Sequence, residues 1–109
     1  MAFEKLQQNE RGIVFRCMQI ILDNNILDNE EFQPRLGINK QELFDVVNAW
    51  PQLNDNDPNS DTYLAINNCL NEVCYSINID DNNLEKQFGV SRKDVEQVYN
   101  KWKNLTNLD

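Results

Sequence analysis

Residues 85–102, EKQFGVSRKDVEQVYNKW, predict two helices joined by a tight turn at Gly89. Glycine at the end of a helix takes up the positive φ that terminates the helix and turns the chain. Ser91 is a favourable N-cap for the following helix, and Asp94 three residues later completes a loose capping box. That helix carries apolar residues at helical spacing, namely Val95, Val98 and Trp102. The stretch therefore predicts a helical corner with one buried face.

The same pattern occurs a second time in the chain, 52 residues upstream. There FQPRLGINKQELFDVVNAWPQL (32–53) aligns with LEKQFGVSRKDVEQVYNKWKNL (84–105). The alignment places the two turn glycines opposite each other, together with two tryptophans, Trp50 and Trp102. A repeat at a fixed period indicates two similar structural units. We therefore predict that the two tryptophans occupy equivalent, largely buried sites.

Each unit is predicted to contain three helices: a long first helix, a short second one and a third that starts after the turn glycine. The units span about 8–54 and 60–107, and the connector NDNDPNSD (54–61) is rich in turn-forming residues. Pro34 shortens the second helix of the first unit or shifts its start, and Pro51 ends its third helix. Because 109 residues are too few for two ordinary domains, the whole chain is predicted to be a single all-α domain of six helices without a sheet.

The composition is typical of a soluble globular protein, with 40% apolar and 26% charged residues. No apolar run approaches the roughly 20 residues needed to span a bilayer, and the start MAFEKLQQNERG lacks the pattern of a secretory signal. Cys17, Cys69 and Cys74 lie in apolar stretches without the spacing of a disulfide framework, so we expect buried, reduced cysteines. These features predict a cytoplasmic protein that does not enter membranes.

Several kinds of chemistry lack the residues that they need. Without histidine the chain cannot form a histidine-based catalytic triad or an imidazole zinc site. Its three glycines are too few for a phosphate-binding loop. We therefore predict that the protein is not an enzyme and that it holds no cofactor and no metal.

The connector contains one pattern similar to a calcium site. Acidic and amide residues at positions 55, 57, 59 and 61 alternate as they do at the start of an EF-hand loop. Ser60 and Ile66, however, occupy the positions of the required glycine and of the bidentate glutamate. The pattern favours a connector that caps a helix, and a weak calcium contact is left open.

The net charge of −8 is unevenly distributed along the chain. Between Gln41 and Glu85 there is no lysine or arginine. The same segment contains nine acids: Glu42, Asp45, Asp55, Asp57, Asp61, Glu72, Asp80, Asp81 and Glu85. Such a segment repels polyphosphates and attracts a basic protein surface, although a solvated acidic face that keeps the protein in solution is an equal alternative.

The apolar positions around each turn glycine resemble those of the helix-turn-helix motif of DNA-binding proteins. In the second unit they are Leu84, Phe88, Gly89, Val90, Val95 and Val98, and in the first they are Phe32, Leu36, Gly37, Ile38, Leu43 and Val46. The chain departs from the motif at the helix–helix contact, because Glu85 and Gln33 stand where a small residue is usual. Tandem units with a tryptophan in the third helix are also similar to Myb-like repeats, but the further spaced tryptophans of those repeats are missing.

The resemblance implies that the third helix of the second unit would enter the major groove of DNA. Its candidate base-reading residues are Ser91, Arg92, Lys93 and Gln97, and the candidates for phosphate contacts are Lys86, Lys101 and Lys103. From 83 to 109 five basic residues accompany four acidic ones, which is far from the basic footprint of DNA-binding modules. A DNA-binding regulator, acting for instance as a homodimer, is therefore the second hypothesis.

The first hypothesis is a non-catalytic interaction protein that binds a partner with a basic surface. The analogy is with small acidic helical immunity proteins, antitoxins and regulators of basic enzymes. Phe44 aligns with Glu96 of the second unit, so the third helix of the first unit faces something apolar, either the other unit or a partner. The candidate partner-binding residues are Phe44, Glu42, Asp45, Asp55, Asp57 and Asp61.

Overall fold

The computed structural model describes residues 2–23, 26–52, 57 and 59–106. These residues form no strand and six α-helices: α1 (Gln8–Leu22), α2 (Phe32–Leu36), α3 (Lys40–Asn48), α4 (Asp61–Asn71), α5 (Asp81–Phe88) and α6 (Arg92–Thr106). Short 3₁₀ turns cover Phe3–Lys5 and Asn29–Glu31, and α4 continues into a π-helical turn, Glu72–Ser76. The predicted all-α fold of six helices is confirmed.

The helix boundaries fall in register with the 52-residue shift. The second 3₁₀ turn and α2 together cover 29–36, and α5 covers 81–88. Gly37 and Gly89 follow them with φ of 76° and 72°, and a third helix begins three residues after each glycine. The turn glycines thus adopt the left-handed conformation that favours glycine. Superposition of the two halves would test the duplication itself, which stays a prediction.

Of the two capping boxes that the sequence suggests at the starts of the third helices, the first is complete and the second is half formed. The Asn39 side chain accepts from the Glu42 backbone N–H at 2.8 Å, and the Glu42 carboxylate accepts from the Asn39 N–H at 2.8 Å. At α6 the Ser91 hydroxyl accepts from the Asp94 N–H at 3.1 Å, which is one half of such a box. Side-chain caps of this kind each stabilise a helix by about 1 kcal/mol.

The first helices of the two units, α1 and α4, pack against each other at the centre of the core. Both α1 and α4 also contact the third helices of the two units, which are α3 and α6. Their fully buried residues are Val14, Cys17, Met18, Ile20 and Ile21 on α1, and Ala65, Ile66, Cys69 and Leu70 on α4. Both units therefore contribute to one core cluster rather than forming a core each.

The two aligned tryptophans differ in their surroundings. Trp102 is fully buried, and its indole N–H donates to the Asn67 side-chain oxygen at 3.2 Å. Trp50 is only partly buried and packs on Phe3 and Phe15, with ring centres 5.0 and 4.6 Å away. The prediction of equivalent burial is wrong for Trp50, because α3 ends two residues before it and the indole does not reach the centre of the core.

Candidate functional site

The outer face of α3 presents the aromatic side chain that the sequence singled out. Leu43 and Val46 point into the core. The opposite face of α3 is exposed, and its residues recur at helical spacing: Gln41, Phe44, Asp45 and Asn48. Phe44 is 49% exposed. Among the described residues it shares this property with one other large hydrophobic side chain, Tyr75, which is 61% exposed. The α3 face is therefore an aromatic residue set in a polar stripe.

A shallow groove runs from Phe44 toward the start of α2. It consists of two adjoining hollows of about 400 and 450 Å³, which share Asn29 and Lys40. The first hollow is bordered by Gln41 and Phe44, and the second by Leu27, Asp28 and Glu30. We call residues 27–30 together with Lys40, Gln41, Glu42, Phe44, Asp45 and Asn48 the Phe44 surface. It contains four acids, Asp28, Glu30, Glu42 and Asp45, and one lysine.

The predicted partner-binding residues fall into two groups. Phe44 and Asp45 are neighbours on the exposed α3 stripe, whereas Glu42 is partly buried and its carboxylate caps the helix. Asp57 and Asp61 are exposed on the approach to α4, where the Asp57 carboxylate accepts from the Asn59 N–H at 2.9 Å. Asp55 lies outside the described residues.

The acidic segment between residues 41 and 85 does not form one continuous solvent-facing surface. Glu72 is buried at the start of the π-helical turn, with a carboxylate oxygen 2.5 Å from the Arg35 Nε. Arg35 also pairs with Glu31 at 2.6 Å, so one arginine bridges an acid before α2 and an acid after α4. A buried ion pair of this kind serves the packing of helices, so Glu72 is not part of an external acidic face.

Two of the predicted DNA-reading residues have structural contacts within the chain. Ser91 caps α6 through its hydroxyl. Arg92 donates from Nε to the Val73 carbonyl at 3.2 Å and from Nη2 to the Ile79 carbonyl at 2.6 Å, and its Nη1 pairs with Asp81. Arg92 thus connects the start of α6 to the π-helical turn and to α5. The sequence contains no signal for these contacts, because the acceptors are main-chain carbonyls from distant positions.

The remaining candidates on α6 provide little positive charge for a nucleic acid. Lys101 pairs with Glu10 of α1 at 2.7 Å, and the Lys103 ammonium lies 4.5 Å from the centre of the Tyr99 ring. The outward stripe of α6 consists of Lys93, Glu96, Gln97 and Asn100, all exposed. One lysine and one glutamate on that stripe leave it without net charge, whereas phosphate binding depends on accumulated positive charge.

The three cysteines are all buried and unpaired. Burial raises the pKa of the Cys17 and Cys69 thiols far above their usual range, and it raises the pKa of Cys74 to about 11. Such thiols stay protonated near neutral pH and do not act as nucleophiles. The predicted burial of the cysteines is confirmed.

Within the part of the chain that the structure describes, no group of three or more cysteine, aspartate or glutamate side chains is arranged to hold a metal ion. The connector pattern that is similar to a calcium loop lies largely outside that part. None of the described helices is both long and apolar enough to cross a lipid bilayer.

Comparison of the chain with protein-family models, with curated protein sequences and with solved structures finds no match. The fold and the Phe44 surface therefore define the class of protein on their own: an all-α domain with an exposed aromatic residue on an acidic helical face.

Proposed function

We propose that this protein is a non-catalytic binding domain that recognises a protein with a basic surface through the Phe44 surface. The observation that carries the proposal is the half-exposed Phe44 side chain in the middle of the α3 stripe. An apolar ring in that position loses contact with water when a partner covers it. Burial of a fully exposed phenylalanine contributes about 1.5–3 kcal/mol, and the exposed half of Phe44 would contribute about half of that. The ring would therefore serve as the anchor of the interface.

The charge around the ring favours a basic partner. Four acids and one lysine share the Phe44 surface, and no arginine contributes to it. Charged groups at the rim of an interface mainly accelerate association and exclude partners of like charge. An aromatic anchor surrounded by polar residues is also the arrangement in which binding energy is usually concentrated. The acids would thus select the partner, and Phe44 would supply most of the affinity.

A DNA-binding regulator is the second candidate function. The corner formed by α5 and α6, with exposed Lys93 and Gln97 on the outer stripe, favours it. Arg92, the strongest potential phosphate ligand at this corner, is bound instead to two carbonyls and to Asp81. With so little free positive charge, we expect any complex with duplex DNA to be weaker than ~100 µM at physiological salt.

Two matched variants test the proposed function. Phe44→Ala and Tyr75→Ala each remove one of the two large hydrophobic side chains exposed among the described residues, but Tyr75 follows α4 and lies outside the Phe44 surface. The wild type and both variants are immobilised and used to co-purify proteins from the source cell at low and high salt. Each specifically retained protein is then purified, and its Kd for the three chains is measured by calorimetry.

We expect a partner with a basic surface whose affinity falls about 30-fold or more for Phe44→Ala and stays unchanged for Tyr75→Ala. Asp45→Asn should slow association at low salt and have little effect at high salt. Equal affinity for wild type and Phe44→Ala would overturn the proposal. Sub-micromolar, sequence-selective DNA binding that is lost in Lys93→Ala would replace it with the second candidate.

A further inference from the structure

A second concave surface lies beside Trp50 and shares no lining residue with the Phe44 surface. It is a cleft of about 470 Å³ lined by Phe3, Gln8, Arg11, Gly12, Trp50 and Pro51. Small-molecule sites in proteins typically have volumes of about 300–1,000 Å³. Phe3 and Trp50 provide two aromatic walls, with ring centres 5.0 Å apart and ring planes at 83°.

The cleft is present in the first unit because Trp50 is less completely covered than the aligned Trp102. In the second unit Tyr63 packs on the fully buried Trp102, with ring centres 5.5 Å apart. The position aligned with Tyr63 is Arg11, which belongs to the lining of the cleft. Trp50 therefore keeps part of its indole accessible at a place where the second unit is closed by a tyrosine.

Gly12 keeps the neighbouring part of the cleft open. No described atom lies within 4 Å of the position that a Cβ would take at this residue. The aligned residue in α4 is Leu64, whose side chain comes within 3.6 Å of the position of a Cβ at Gly37. Glycine in the interior of a helix lowers the stability of the helix by about 1 kcal/mol relative to alanine. At Gly12 no close packing against another helix explains the choice of glycine.

Arg11 brings a guanidinium to this cleft beside the two aromatic rings. Its Nε donates to the Leu6 carbonyl at 3.1 Å, which orients the side chain, and the guanidinium carbon lies 6.0 Å from the centre of the Phe3 ring. Its two terminal nitrogens have no hydrogen-bond or ion-pair partner among the described residues. The adjacent acid, Glu10, is already paired with Lys101 at 2.7 Å. A guanidinium in this state can bind a carboxylate or a phosphate with two parallel hydrogen bonds.

We propose that this cleft binds a small aromatic anion, with the ring of the ligand against Trp50 and Phe3 and its anionic group on the terminal nitrogens of Arg11. The aromatic walls favour a planar apolar group, and the Arg11 guanidinium, whose terminal nitrogens have no partner among the described residues, selects for negative charge. Because the protein has a net charge of −8, an anionic ligand needs a local positive charge at its binding site. Arg11 provides this charge in the cleft. This site is independent of the proposed protein interaction, since none of its lining residues belongs to the Phe44 surface.

Three small probes of similar size test the proposal by NMR: benzoate, benzyl alcohol and benzylamine. Each is titrated into the ¹⁵N-labelled full chain, and the indole N–H resonance of Trp50, assigned with Trp50→Phe, reports on the cleft. We expect saturable shifts with benzoate and a Kd on the order of 1 mM, as is usual for a ligand of few atoms. Benzyl alcohol and benzylamine should bind at least about tenfold more weakly, because neither can accept two hydrogen bonds from Arg11.

Three variants locate the site on the chain. Gly12→Leu introduces the residue of the aligned position in α4, and should abolish benzoate binding without unfolding the protein, because the added side chain meets open space and leucine favours a helix. Arg11→Gln should weaken benzoate binding about tenfold. Arg16→Gln removes an exposed arginine of the same helix that does not line the cleft, and should leave binding unchanged.

Three results would overturn the proposal. The first is that benzoate causes no saturable shift of the Trp50 resonance at concentrations up to about 20 mM, well above the expected Kd. The second is that benzoate still binds to Gly12→Leu, because the ligand would then lie elsewhere. The third is that benzylamine binds as well as benzoate, because the ligand would then not use Arg11.

Discussion

The two helical corners of this protein, α2 to α3 and α5 to α6, have the same turn but are attached to the rest of the chain by different interactions. The first corner is held by α4: the Asn68 amide donates to the Leu36 carbonyl at 2.7 Å, and Leu64 contacts the region of Gly37. The Arg35–Glu72 ion pair adds a third connection between α2 and the turn that follows α4. The first corner is therefore secured by side chains of the opposite unit.

In the second corner α6 packs on α1, but among the described residues α5 and the turn at Gly89 receive no comparable side-chain contact from α1. The positions aligned with Asn68 and Leu64 hold Arg16 and Gly12, and no described atom lies within 4 Å of the position of a Cβ at Gly89. Its attachment comes from within the second unit, through the contacts of Arg92 with two carbonyls and with Asp81. The arginine that could have contacted DNA is the residue that holds this corner in place.

This difference shows that a turn pattern determines a helical corner but not its use. The first corner is attached through Asn68, Leu64 and Glu72. None of these contacts involves the outer face of α3, where Phe44 is exposed. The second corner uses its most favourable cation for its own attachment. That helix-turn-helix geometry serves chiefly for packing here, and that the partner surface lies on the first unit, is part of the function proposed above; the contacts of Arg92 within the chain support it.

The largest expected difference between the two units concerns their tryptophans. Trp102→Ala should lower the free energy of unfolding by about 3–5 kcal/mol, because it removes a fully buried indole and leaves the Asn67 side-chain oxygen without its hydrogen-bond donor. Trp50→Ala should cost about 2 kcal/mol or less, because part of this side chain is already in water. Urea denaturation of both variants measures the difference. Equal losses would mean that the two sites are energetically equivalent despite their different exposure.

A smaller effect should distinguish the attachments of the two corners. Arg92→Ala should lower the free energy of unfolding by about 2 kcal/mol, mostly through the two carbonyl acceptors, because Asp81 is 78% exposed and its ion pair contributes little. Lys93→Ala, the adjacent exposed residue, is the matched control and should change stability by less than about 0.5 kcal/mol.

Hydrogen exchange then shows where Arg92 acts. In Arg92→Ala, amides of α5 should exchange faster than those of α2, because α2 keeps its contacts with α4. Uniform acceleration across the whole chain would show that Arg92 stabilises the core as a unit and that the second corner has no separate attachment.

Much of the fold could be predicted because its determinants are local. The turn glycines, the caps at Asn39 and Ser91 and the helical spacing of apolar residues depend on neighbours within a few positions. Pro34 also acts locally: α2 is five residues long and follows a 3₁₀ turn, whereas the aligned α5 has eight residues. Local chemistry of this kind can be deduced from one sequence.

Tertiary partners could not be predicted in the same way. Glu72 belongs by sequence to an acidic run, and its burial beside Arg35 arises from the packing of α2 on α4. Arg92 occupies an outward position by periodicity, and its acceptors are carbonyls that any residue would offer. The alignment of Phe44 with a glutamate left open whether the other unit or a partner covers the ring, and its 49% exposure shows that the other unit does not cover it. The groove beside the ring depends on the 3₁₀ turn before α2.

The smallest expected effect concerns an ion pair that exists at only one of two aligned crossings. Lys101 of α6 pairs with Glu10 of α1 at 2.7 Å, whereas the aligned residues are Ala49, which directly follows α3, and Thr62 of α4, which cannot form such a pair. The hydrogen bond from Lys101, followed by that from the Gln7 backbone N–H, lowers the pKa of Glu10 below its usual value. Its contribution to stability is therefore complete above the usual pKa of a glutamate and disappears as the pH falls through the lowered pKa of the folded state.

Lys101→Met tests this pair without disturbing the Glu10 cap on Gln7. Because the lysine side chain is 38% exposed, we expect a loss of only about 0.5 kcal/mol at about pH 7. The loss should be smaller at about pH 2, below the usual pKa of a glutamate, because protonation of Glu10 removes the ion pair. Lys86→Met, which changes an exposed lysine of α5, is the control for the change in net charge. Urea denaturation at the two pH values gives the comparison. A loss that persists at the lower pH would assign the effect of Lys101 to the packing of its methylene groups on α1, and the two crossings would then differ in apolar contact rather than in charge.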